Sequence, residues 1–206
     1  MMRVPTVTLM LCIITIALSF LSNMAQEALY FDLHALDSGR WIGLLSGHWM
    51  HADAEHLLWN VSALGVLAGV IEVHSRRLLL VSLLAGMASV NLLLLSPLTD
   101  ITRYCGLSGI LNTLLGVMLY IAWQKTQSGF VIAVGVLSLL KIVLEIMLAE
   151  SLFTSASWPP FAMAHLAGLA ATPVALYLFS VKRCEQLSVG STMSKGKQSC
   201  SKFMLQ

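Results

Sequence analysis

The chain reads as an all-α, polytopic membrane protein: six transmembrane helices in one bundle, with both termini in the cytoplasm. Three observations predict this. Of 206 residues, 57% are hydrophobic and only 11% charged, with a mean hydropathy of +0.82, whereas a soluble domain carries about a quarter charged residues. The charges divide the chain into apolar stretches, each able to supply most of the roughly 20 residues that cross a bilayer core. Finally, Lys and Arg alternate in density from one connection to the next. The net charge of +2 is too small for a nucleic-acid footprint.

Six helices are expected over about 7–24, 52–72, 78–99, 106–124, 128–149 and 160–181, forming one membrane domain over 1–184. The second stretch is short and starts in the headgroup region. Lys141 and Glu145, four apart on one face of the fifth helix, are expected to pair with each other inside the membrane, a structural pair. Pro159–Pro160 marks the start of the sixth helix, since proline suits a first turn.

With the N-terminus inside, the cytoplasmic side holds Arg3, Arg76, Arg77, Lys125, Lys182, Arg183, Lys195, Lys197 and Lys202, against Arg40 and Arg103 outside. This positive-inside bias sets the orientation. The first helix is expected to stay uncleaved, since Asn23-Met24-Ala25 is a poor signal-peptidase site. The loop from about Ala25 to Met50 carries Tyr30, Phe31, Trp41 and Trp49 and is expected to lie on the outer membrane surface. Residues 185–206, rich in Ser, Lys and Gly, read as a flexible cytoplasmic tail. Cys12, Cys105, Cys184 and Cys200 are spread over different compartments, so no disulfide is expected.

Polar groups inside a membrane bundle are costly and ask for a reason. Helix 2 opens with His51-Ala-Asp-Ala-Glu-His56-Leu-Leu-Trp-Asn60, helix 4 with Gly106-Leu107-Ser108-Gly109, and helix 6 carries Ala164-His165-Leu166-Ala167-Gly168. At about 1.5 Å per residue, Ser108 lies roughly 6 Å below Tyr104, and Asn60 and His165 each about 7.5 Å below Glu55 and Pro160. Three helices thus bring an amide, a hydroxyl and an imidazole to one shallow level. A serine needs a neighbouring base to become a nucleophile, and His165 is the one histidine in helices 3 to 6. No carboxylate lies near that depth on helix 4 or helix 6, so a Ser–His dyad is expected. His56 and Asn60, on one face, join backbone N–H groups as oxyanion donors. Gly109 and Gly168 remove bulk where helices 4 and 6 approach.

Each of these residues has a plainer role when taken alone: back-bonding for Ser108, a core hydrogen bond for His165, interhelical glue for Asn60. Their common depth is what favours a site. A metal centre at His34, His48, His51 and His56 is the rival. The spacing is wrong for a zinc-protease helix because Ala52, not Glu, follows His51. No metal or cofactor is expected.

In this order the three motifs resemble the rhomboid intramembrane serine proteases, and the likeness covers all six helices, from about residue 7 to 181. It implies Ser108 as nucleophile, His165 as general base, and His56 and Asn60 with the backbone at Gly106 and Leu107 as the oxyanion site. His51, Gly109, Asn112 and Gly168 take supporting places, and Glu72 closes helix 2 in a structural role. Leu44-Leu45-Ser46-Gly47-His48-Trp49-Met50-His51 and Tyr104-Cys105-Gly106-Leu107-Ser108-Gly109 are similar to signatures of the rhombosortase branch. That branch implies membrane-anchored protein substrates bearing a C-terminal Gly-Gly motif, helix and basic tail, in a bacterial inner membrane. Two positions depart from the family pattern. Arg40-Trp41 sits two residues early for the family's Trp-Arg pair, and Asn112 stands where an aromatic or histidine often stacks on the base. The alternative function is a catalytically silent relative that binds transmembrane segments, a role that needs neither Ser108 nor His165.

Overall fold

The computed structural model describes residues 4–150, 152 and 161–190, the stretch 182–190 by its backbone alone. The described chain is mostly helical: α1 Thr6–Leu18, α2 Asn23–Leu29, α3 Leu33–Asp37, α4 Gly43–Ser46, α5 Ala54–His74, α6 Arg76–Leu94, α7 Ser108–Thr126, α8 Gly129–Leu148, α9 Ala162–Ala170 and α10 Thr172–Gly190. Two short strands, β1 Phe31–Asp32 and β2 Arg103–Tyr104, complete it.

Four helices are long and apolar enough to cross a membrane: Ala54–His74, Arg76–Leu94, Gly129–Leu148 and the combined run Ala162–Val181. Six were expected, and the two shortfalls have separate causes. α1 has 13 residues, only about 20 Å of rise. α7 is long but packs against α5, α6, α8, α9 and α10. A helix packed on several sides by protein can carry Ser108, Asn112 and Thr113 without facing lipid.

Helix boundaries follow local chemistry. The third helix was expected to reach 99; it stops at Leu94, ahead of Ser96-Pro97, because the residue before a proline disfavours the helical region. The first was expected to reach 24, yet it ends at Leu18, where the chain turns over Ser19–Leu21 into the separate α2. The sixth is broken at Ala171. Pro173 can neither donate to Leu169 nor fit its ring against that carbonyl, so the helix restarts as α10. α10 continues to Gly190, into the stretch expected to be flexible. Pro159–Pro160 and residues 191–206 lie outside the described residues.

Glu72, near the C-terminal end of α5, ties α1 down. Its carboxylate accepts from Val7 N at 3.0 Å, Thr8 N at 2.8 Å and Thr8 Oγ1 at 2.9 Å, and pairs with Arg76 at 3.1 Å. These are N–H groups that a helix start leaves without intrahelical partners, and a carboxylate also complements the helix dipole there.

The long first loop is packed onto the protein. β1 pairs antiparallel with β2, Phe31 opposite Tyr104. Phe31 is 1% exposed, and Trp49 packs against the main apolar core; of the loop's four aromatics Trp41 alone is well exposed. Gly43 and Gly47 let α4 and the turn Gly47–Trp49 lie on β1, since a Cβ would fall 2.6 Å from Tyr30 O and 2.8 Å from Phe31 N respectively. Asn91 on α6 holds the same segment, its Oδ1 accepting from His48 Nε2 at 2.9 Å and its Nδ2 donating to Leu44 O at 2.9 Å.

The core centres on α7. A Cβ on Gly86 would lie 2.6 Å from Thr113 Oγ1, and one on Gly116 would overlap Thr172. The tightest approach is between α7 and α9, where a Cβ on Gly168 would overlap the Gly109 carbonyl. Thr113 Oγ1 donates to Gly168 O at 2.6 Å, and Ser89 Oγ on α6 donates to Ala167 O at 2.7 Å. Small residues thus allow backbone contact, and hydroxyls lock it.

Gly168→Ala should therefore force α7 and α9 apart and cost about 1–3 kcal/mol or more. Gly69→Ala, where a Cβ meets nothing within 4 Å, should leave stability unchanged or raise it. Thermal unfolding midpoints of the two variants in the same detergent check this contrast.

Candidate functional site

The N-terminal ends of α5, α7 and α9 and the C-terminal end of α8 meet beside the β1–β2 pair. Ser108 begins α7, Gly109 follows it, and a Cβ on Gly109 would lie 3.0 Å from Ala164 O. Since His165 follows Ala164, hydroxyl and imidazole flank the tightest helix contact in the protein. Both are half-buried.

α7 is entered through Gly106, whose φ of +119° is closed to most side chains. A Cβ there would also strike His56, 2.7 Å from Cε1 and 2.9 Å from Nε2, with Asn60 Nδ2 at 3.8 Å. The glycine thus brings the turn before Ser108 onto the face shared by His56 and Asn60. Asp53 caps α5 by accepting from His56 N at 2.8 Å, which fixes where that face begins. Asn60 Nδ2 and His56 Nδ1 are buried without a hydrogen-bond partner among the described residues. Buried donors left open are unusual and costly, and here they border the turn that leads into Ser108.

The sequence-derived set is therefore largely convergent: Ser108, His165, His56, Asn60, Gly106, Gly109 and Gly168 gather at one end. Three members behave differently from the expectation. The Gly106 N–H donates to Gly47 O at 3.0 Å, so this residue contributes its conformation rather than an oxyanion donor. Leu107 is the cap residue of α7 and its side chain is fully buried in the core. Asn112 donates to Ser108 O at 2.9 Å, along its own helix.

Other functional neighbours escaped the sequence reading. Tyr104 donates to Gly106 O at 2.8 Å, bracing the strained turn. Burial pushes its phenol well above the ordinary range, so it stays neutral, and its oxygen also faces the Gly109 N–H and the Ser108 hydroxyl. Polar Asn91 in apolar α6 was a visible signal for the loop contact. The largest correction concerns carboxylates. The site was expected to lack one, yet Glu145 reaches in from α8 and its Oε2 lies 3.2 Å from His165 Nδ1. The Lys141–Glu145 pair does form, at 2.6 Å, but it engages only the other carboxylate oxygen.

Of the histidines in the rival metal reading, His48 Nδ1 and both His51 ring nitrogens are, like His56 Nδ1, buried without a hydrogen-bond partner among the described residues. His48 is buried on Asn91 and stands edge-on to Tyr104 at 5.6 Å. His51 stands edge-on to His56 at 5.0 Å. Among the described residues, no three His, Cys, Asp or Glu side chains converge as a metal cage.

Burial, with the His56 ring as a smaller cause, lowers the His51 pKa to about 3. An unfolded chain takes up this proton near the ordinary value of 6.5 and the folded one only near 3. His51 therefore costs stability progressively as pH falls through that window, up to about 5 kcal/mol. His51→Phe should remove this part of the acid sensitivity, read as a smaller drop in the unfolding midpoint between pH 7 and pH 4.

A family model described as Rhomboid domain matches residues 38–182. A search of curated proteins finds no match. The matched span covers most of the chain and includes every side chain of the site, so this protein belongs to the rhomboid family.

Proposed function

We propose that the protein is an intramembrane serine endopeptidase in which Ser108 is the nucleophile and His165 the general base. The observation that carries this reading is the glycine-permitted crossing of α7 and α9, which brings together the helix segments that carry Ser108 and His165, with buried, unpartnered nitrogens of His56 and Asn60 beside the turn into α7. The family is generally one of serine intramembrane proteases, which supports the same reading.

The chemistry follows from the placement. Ser108 Oγ adds to the scissile carbonyl carbon as its proton passes to His165. Charge develops on the carbonyl oxygen and is met by Asn60 Nδ2, by His56 and by the Ser108 N–H at the start of α7, where a helix leaves its first N–H groups without intrahelical partners. His165 returns the proton to the departing amine, the C–N bond breaks, and water then releases the acyl group by the same route.

In this reading six helices cross a bacterial inner membrane with both termini inside. α7 crosses shielded by its neighbours. The site then opens toward the outer face, and its substrates are membrane-anchored proteins cut near the outer end of their anchors. The similarity to rhombosortase signatures around Ser46–His51 and Tyr104–Gly109 favours anchors with a C-terminal Gly-Gly, hydrophobic helix and basic tail. Glycines help because a helical anchor must become extended to reach a serine.

Ser108→Ala and His165→Ala should each abolish cleavage, and the double variant should cost little more, because nucleophile and base act as one unit. Asn60→Ala should retain cleavage at a rate lower by about 10²–10³. The assay co-expresses a tagged passenger carrying the Gly-Gly anchor and maps the new C-terminus by mass spectrometry. Cleavage that persists in Ser108→Ala, or that ignores replacement of the glycines by leucine, contradicts the assignment.

A further inference from the structure

Of the four helices long and apolar enough to cross a membrane, α8 is the most apolar and the least enclosed; of its 20 residues only Ile142 and Glu145 are buried. That one of the two is a carboxylate needs a cause. Burying a charge is costly unless it is fully partnered, and an i,i+4 pair with Lys141 could form equally well facing away from the protein. Lys141 itself remains about one-third exposed, while the Glu145 side chain is 1% exposed.

The two carboxylate oxygens divide their partners. Oε1 takes Lys141 Nζ at 2.6 Å and Leu152 N at 3.3 Å. Oε2 takes His165 Nδ1 at 3.2 Å. Lys141 and the Leu152 amide thus hold the carboxylate by one oxygen and leave the other aimed at the imidazole. A carboxylate accepts only, so Nδ1 carries the proton and Nε2 keeps its lone pair. Asn112, the nearest amide along the Ser108 face, spends its N–H on the Ser108 carbonyl.

Resting on the assignment of His165 as base, we infer that Glu145 is a positioning residue that fixes the tautomer and orientation of His165, with Lys141 holding Glu145 in turn. The catalytic dyad thereby becomes a Ser108–His165–Glu145 relay whose acid comes from α8, the least enclosed of the four long apolar helices. The role is that of the acid in serine triads: it sets the imidazole tautomer and stabilises the imidazolium while staying ionised itself. A further consequence is mechanical. Any displacement of α8 from α9 breaks the Nδ1 contact, so the position of this exposed helix sets whether the base is poised.

The test uses the purified full-length protein in detergent with a fluorophosphonate probe. The Ser108 Oγ–P bond forms, fluoride leaves, and the serine proton passes to His165 Nε2. Glu145→Gln should lower the maximal labelling rate by at least about tenfold with the half-saturating probe concentration unchanged. In a His165→Ala background the same change should do nothing further. A variant that removes both charges, Lys141→Met with Glu145→Gln, leaves no buried unpaired ion and keeps the test valid if the single variant misfolds. It should remain slow, whereas a merely structural pair would recover full labelling. In the unmodified protein, ¹⁵N-histidine spectra at neutral pH should show His165 protonated at Nδ1. Full-rate labelling of Glu145→Gln, recovery in the paired variant, or an Nε2-protonated His165 would each overturn the inference while leaving the dyad intact. Equal labelling of Ser108→Ala would instead overturn the dyad assignment on which it rests.

Discussion

Backbone-to-backbone contact between α7 and α9 at Gly109 and Gly168 is the constraint on which the rest of this protein depends. Helices separated by ordinary side chains pack about 8–10 Å apart, and at that spacing a serine on one and a histidine on the other do not meet without long reach. Here both contact residues lack a Cβ, and a Cβ on Gly168 would overlap the Gly109 carbonyl. Hydroxyls of Thr113 and Ser89 then hold the carbonyls of Gly168 and Ala167. Without much hydrophobic drive between helices in lipid, such close packing and hydrogen bonding are what association has to work with.

The second constraint is the turn into α7. Gly106, with its positive φ, is braced by Tyr104 from one side and by Gly47 from the other. Through Gly47 the turn is joined to the segment before α5, and through β1 to the long first loop. That loop is therefore a scaffold for the site as much as a membrane-facing element, which explains its buried Phe31 and His48. At the opposite end, Glu72 anchors the short α1 to α5 and leaves the site end free of that task.

Much of this was legible in the sequence because membrane burial makes polar residues conspicuous. Ser108, His165, His56 and Asn60 stand out against apolar neighbours, and the rise per residue alone puts them at one depth. The course of the first loop was not legible, since a two-residue strand pair between Phe31 and Tyr104 leaves no periodicity to read. Aromatic side chains such as Phe31 suit a bilayer interface and a protein core equally well. Glu145 was misjudged for a different reason. Its i,i+4 partner Lys141 gave a sufficient local explanation, and nothing in the spacing tells that one carboxylate oxygen is left over for a helix twenty residues on. The break at Ala171 was readable from Pro173 but was masked by the continuous apolar run around it. The limited hydropathy of α7 follows from its enclosure, a tertiary fact that no window along the chain contains.

The central claim is that one constellation of α5, α7 and α9 places a nucleophile, a base and an oxyanion site around a single point. A structure of the protein inhibited by a fluorophosphonate tests it most directly, because the phosphonyl group mimics the tetrahedral intermediate. The account predicts phosphorus bonded to Ser108 Oγ, the phosphonyl oxygen within hydrogen-bond distance of Asn60 Nδ2 and of the His56 ring, and His165 adjacent to Oγ. An adduct on another residue, or a phosphonyl oxygen turned away from Asn60 and His56, would contradict it.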